Sequence, residues 1–152
     1  MSNSYKSSSL EQMEAEKIIF SMIEQKMQVK LDQNKKIYLA DNEFTYIQPD
    51  FYSEEELVIG EIFSHIGKNK SAQNNKIAND VLKMLLLEKV TGKQYRKIIV
   101  VCDEDELNKL TGFSSLAESI RQFDVAVMYV EIDEKLRESL LCAQSRQRMT
   151  NV

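Results

Sequence analysis

Apolar residues recur at helical spacing from Ser9 to about Lys30, with Ile19, Phe20, Ile23 and Met27 on one stripe, and they predict a long amphipathic first helix. Glu16 stands four residues before Phe20 and seven before Ile23, so it extends the buried stripe and not the wet face. Three short runs follow, Lys36–Ala40, Phe44–Asp50 and Leu57–Phe63. Asp41-Asn42-Glu43 separates the first two; Phe51-Tyr52-Ser53 and a run of glutamates separate the last two, which predicts an antiparallel meander. Ser71 stands at an N-cap position, and Ala72–Val90 predicts a second helix with Ile77, Val81, Leu82 and Leu85 turned inward and Thr91-Gly92 as its stop.

Lys97–Cys102 is apolar after its first residue and bounded by charge, the pattern of a central strand covered on both faces. Asp103 with Glu106, and Ser115 with Glu118, set capping-box starts for short helices reaching Leu110 and Phe123. Val125–Ile132 predicts the last strand, and Asp133 caps a final helix to about Arg146. The predicted order is αβββαβαβα. Alternation in its second half favours parallel strands joined by right-handed crossovers, hence the α/β class with a mixed sheet flanked by helices.

Composition changes this picture little. With 152 residues, 43% hydrophobic and 29% charged, the chain is sized for one ordinary core, here residues 9–148 between polar tails at 1–8 and 149–152. Cys102 and Cys142 have no metal-ligand spacing to each other or to His65 and are read as reduced core thiols. No apolar run approaches the roughly 18 residues of a membrane span, and no signal segment stands at the front, so the expected location is cytoplasmic.

A net charge of −4 argues against coating nucleic acid by bulk electrostatics. The balance is uneven, however: Lys68, Lys70, Lys76, Lys83, Lys89, Lys93, Arg96 and Lys97 face only Asp80 and Glu88 between Gly67 and Lys97. A basic local patch remains open beside the plainer reading of a solvated helix face.

Pleating places Leu57, Ile59, Glu61, Phe63 and His65 on one face of their strand, so Glu61 sits among large apolar groups. An ionised carboxylate there needs a cation, donor or metal beside it. Asp50 is the expected neighbour, brought close by a bulge or bend at Pro49 and Gly60. Two carboxylates within reach of each other suit Mg²⁺ or Mn²⁺ between them.

Pro49-Asp50, the step of eleven residues to Gly60-Glu61 in a second strand, and the element order together resemble the restriction-endonuclease-like PD-(D/E)XK phosphodiesterase superfamily. The resemblance runs from the first helix to the last strand. It implies a restriction-endonuclease-like sheet and Mg²⁺- or Mn²⁺-dependent hydrolysis of nucleic acid, DNA foremost, with Asp50 and Glu61 as metal ligands. Copies pairing as a homodimer to cut both strands are implied too; a membrane is not. The family's lysine two positions beyond the glutamate is absent, because Phe63 stands there. In the family that lysine sometimes migrates to the following helix, which makes Lys76 its substitute here, with Lys68 and Gln73 as phosphate contacts and Glu16 as an additional acid. Each residue also has a plainer reading. Asp50 is then a turn residue, Glu61 a salt-bridge partner of Lys76 or Lys83, Lys76 a solvated helix lysine, His65 a structural histidine, and Asp103-Glu104-Asp105 a helix cap. A fold that persists without chemistry, as an interaction or regulatory module, is the alternative function.

Overall fold

The computed structural model describes the backbone of residues 2–67 and 71–150 and the side chains of residues 10–67 and 73–146. Its elements are α1 (Ser2–Met27), β1 (Asp32–Gln33), β2 (Ile37–Tyr38), β3 (Tyr46–Ile47), β4 (Phe51–Ser53), β5 (Val58–Phe63), α2 (Ser71–Thr91), β6 (Arg96–Val101), α3 (Glu104–Leu110), α4 (Ser115–Gln122), β7 (Val125–Tyr129) and α5 (Glu134–Thr150). Five strands form one mixed sheet in the order β1-β4-β5-β6-β7. β4 runs antiparallel to β1 and β5, whereas β5, β6 and β7 are parallel, their connections passing through helices.

Strand alternation divides the core into two layers. Ile59, Phe63, Ile99 and Val101 face Ile77, Val81, Met84 and Leu87 of α2, with Leu110 and Ile120 from the short helices. On the reverse face Val58, Ile62, Ile98 and Val100 meet Ile19 and Ile23 of α1. Ala15 and Leu140 join α1 to α5 and cover Ile66 beyond the end of β5. The chain is thus an α/β protein with a mixed sheet flanked by helices, as its pattern predicts. Among the described residues, no helix is long and apolar enough to cross a membrane.

The predicted meander is corrected. β2 and β3 pair only with each other, as a separate two-stranded sheet. Pro49 has no N–H for a ladder, so the run Phe44–Asp50 breaks there, and the partner of β5 is Phe51–Ser53, residues expected in the turn. β1, two residues long, gave no sequence signal. No bulge forms at Gly60 either. Its role is close approach: a Cβ there would collide with the Phe51 ring, which crosses over it.

Other differences are local. α1 begins at Ser2 and takes in most of the expected front tail, α5 runs on to Thr150, and β7 ends at Tyr129. Leu82 points outward, 63% exposed, because the inward face of α2 is already filled by Ile77, Val81 and Met84. Cys102 is buried but Cys142 is exposed. Ser114, not Ser115, caps α4 by accepting from the Ala117 N–H at 3.1 Å, while Asp133 caps α5 through the Leu136 N–H at 2.8 Å. Asp103 holds the N-cap position of α3 without capping it. Its carboxylate instead accepts from the Gly67 N–H at 3.3 Å and from Arg137 at 3.2 Å, tying the loop after β5 to α5.

Candidate functional site

Phe51 pairs with Gly60 across the β4–β5 ladder, and one step further along the same register sets Asp50 opposite Glu61. Their side chains continue the ladder where Pro49 cannot. Asp50 Oδ2 accepts from the Ile62 N–H at 2.7 Å, and the Asp50 N–H donates to Glu61 Oε2 at 3.4 Å. Tyr52 and Ile59 belong to the α2-facing layer, so alternation puts both carboxylates on that face. Register alone brings them together.

The pair carries unbalanced negative charge. Burial, then the Asp50 carboxylate and its hydrogen bond, then Asp80, push the Glu61 carboxyl up to about 9. Near neutrality the Glu61 carboxyl holds its proton. The plainer reading, a salt bridge from Lys76 or Lys83, finds no support among the described residues, where neither lysine forms an ion pair with Glu61.

Two further acids feel the same charges. Glu16, half-buried beside the α1 stripe of Ala15, Ile19 and Ile23, is raised by burial and by Asp50, and lowered by its hydrogen bond from Gln12 and by Lys76. Asp80 on α2 is raised to about 6, by burial first and by Asp50 last, against the opposing pull of Lys76 and Lys83. Carboxylates from α1, the two strand ends and α2 therefore converge electrostatically, with the Lys76 ammonium acting on two of them. The sequence reading missed Asp80. Its signal was present: Asp80 stands one helical turn after Lys76, on the flank of the buried face defined by Ile77, Val81 and Met84.

At the C-terminal end of β5 a cavity of about 160 Å³ is lined by Gln12, Ser64, His65, Gln73, Lys76 and Phe63, among others. Lys76 is exposed there, on the first turns of α2. Gln73 Nε2 stands 2.8 Å from His65 Nδ1, so its amide is engaged with the imidazole. Phe63, where the family's lysine is expected, is buried in the α2-facing core with its ring centroid 5.9 Å from that of His65. Lys68 lies outside the described residues.

The site's donors are carboxylate oxygens, the ligand type of a hard divalent cation. Each of Asp50 and Glu61 commits one oxygen to a backbone N–H, and the two carboxyls also hydrogen-bond to each other. Among the described residues no three His, Cys, Asp or Glu side chains form a ready-made cage. A larger cavity, about 640 Å³, lies at the opposite end of the strands; its lining includes Lys97 and Glu88, already joined at 2.7 Å.

No family model, no curated protein and no solved structure matches this chain.

Proposed function

We propose that this protein is a divergent phosphodiesterase of the PD-(D/E)XK type, with a restriction-endonuclease-like sheet, that hydrolyses nucleic acid, DNA foremost, with Mg²⁺ or Mn²⁺. One observation carries the reading: Asp50 and Glu61 face each other across adjacent strands with, among the described residues, no ion-paired lysine or arginine, and burial first, then the Asp50 carboxylate, push Glu61 up to about 9. Such frustration is the mark of a group arranged for a ligand more often than of one arranged for stability. Asp50 and Glu61 would hold the metal. A bound divalent ion supplies acidity to water and neutralises charge building on a phosphate.

The chain's own residues supply the rest. Lys76 brings an ammonium from α2 to the acids and replaces the lysine that Phe63 displaces. It is exposed and flexible enough to follow a phosphate. Glu16 and Asp80 hold the negative field that draws a cation. His65 is oriented by Gln73 at the rim of the small cavity. Two copies would let each cut one strand, which sedimentation of the protein with and without duplex DNA tests.

Phe63 favours a second reading, in which the fold persists as an interaction module without chemistry, because a buried ring fills the room of a lysine head. Plasmid cleavage with Mg²⁺ or Mn²⁺ decides. Under the first reading, Asp50→Ala and Glu61→Ala each lower cleavage by at least about 100-fold. No cleavage of DNA or RNA, together with a flat Mn²⁺ titration by calorimetry, leaves the module.

A further inference from the structure

The hairpin made by β2 and β3 leads directly into Pro49 and Asp50, and it does not belong to the main sheet. Ile37, Leu39 and Ile47 turn inward onto the α2-facing core. The opposite face is aromatic and exposed: Tyr38 is 54% and Tyr46 42% exposed, and Phe44 at the turn is 87% exposed. The Tyr38 and Tyr46 rings stand 5.7 Å apart, tilted at 56°. Lys36 places its ammonium 5.0 Å from the Tyr46 centroid, and Lys35 stands 6.0 Å from that of Tyr52. A cavity of about 310 Å³ between the hairpin and the end of α2 is lined by Lys35, Lys36, Lys93, Tyr38, Tyr52 and Tyr95 among others, with Glu54 as its acidic member.

Solvent-facing rings usually cost a soluble protein aggregation risk, and nothing in the core requires these. Rings interleaved with ammonium groups match one ligand chemistry closely, a strand with flat bases and charged phosphates. From Tyr46 to Asp50 the chain spans at most about 13 Å, four residues at full extension. We propose that this hairpin and groove form a stacking platform for unpaired bases, holding the strand whose phosphodiester enters the Asp50–Glu61 pair. The substrate class is then single-stranded or frayed nucleic acid. The last clause rests on the phosphodiesterase reading; the platform does not.

The test separates the two by leaving metal out. In EDTA, labelled oligo(dT), oligo(U) and a DNA duplex of equal length are titrated onto the full chain and onto Tyr38→Ala/Tyr46→Ala. The unpaired strands are expected to bind at least tenfold more tightly than the duplex, with that preference lost in the double variant and kept in Tyr46→Phe. The dT and U arms tell whether the 2′-hydroxyl matters. Lys35→Ala/Lys36→Ala should weaken binding and flatten its salt dependence. Because all four side chains are exposed, unchanged melting is expected of the variants, and Mn²⁺ titration should be unchanged. Equal binding of duplex and single strands, or undiminished binding by the tyrosine variant, overturns the platform. Platform binding without cleavage or Mn²⁺ binding sinks only the phosphodiesterase reading.

Discussion

Two ionisable groups on adjacent strands of the same sheet, Lys97 and Glu61, are treated in opposite ways. Lys97, at 6% exposure, meets Glu88 at 2.7 Å, and the second oxygen of Glu88 accepts from the Tyr95 N–H at 2.9 Å. Glu61, by contrast, meets Asp50 and is raised to about 9. Both residues sit on strands that cross the core, and burial is the first cause of the Glu61 shift. Their partners differ in sign. A charge kept for stability is given its opposite, while an acid given another acid is held in tension that, under the proposed function, an incoming cation would relieve.

Breaking the satisfied pair should have the largest effect. Glu88→Ala strands the Lys97 ammonium and should lower unfolding free energy by about 3–5 kcal/mol in urea titrations. Glu61→Gln should do the reverse at neutral and alkaline pH. Its carboxyl binds a proton more tightly folded than unfolded, so the stability it contributes is full below its ordinary value of 4.5 and drains away as pH rises to about 9. Urea titrations of the unliganded wild type should therefore show stability falling between pH 5 and pH 9 by at least about 1.4 kcal/mol, the free energy of a tenfold change in proton affinity, and the fall should shrink in Glu61→Gln. If the two proteins lose stability in parallel, the tension is absent.

A cation bound at the pair would have to displace the proton on Glu61. Mn²⁺ affinity should thus rise from pH 6 to pH 8 by up to about tenfold for each step of one in pH, with proton release visible as buffer-dependent calorimetric heats. The smallest stability effect belongs to Lys76→Met. Exposed, it should change unfolding free energy by no more than about 0.5 kcal/mol. Cleavage is expected to drop far more than that, which separates a working ammonium from a solvated one.

Much of the architecture was legible because periodicity reports burial directly. The stripe of Ile19 and Ile23, the alternation of Ile59, Glu61 and Phe63, and the cap at Asp133 all follow from local rules. The candidate site was legible in part: Asp50, Glu61, Glu16 and Lys76 do share one electrostatic neighbourhood. Asp80 was not, since a lone acid among lysines reads as solvated until the helix's orientation is known. Gln73 has the position of a phosphate donor in the sequence, and the fold gives it to His65.

The sequence alone determined most of the inward faces, though not those of Leu82 and Cys142, because side-chain direction follows from helical and strand periods. It also determined that an acid would stand among apolar neighbours at Glu61. Only the tertiary structure decided which strand pairs with β5, and with it the placing of Asp50 opposite Glu61. Register depends on contacts between distant segments: Pro49 ended one ladder, and Gly60 opened room for the Phe51 ring in another.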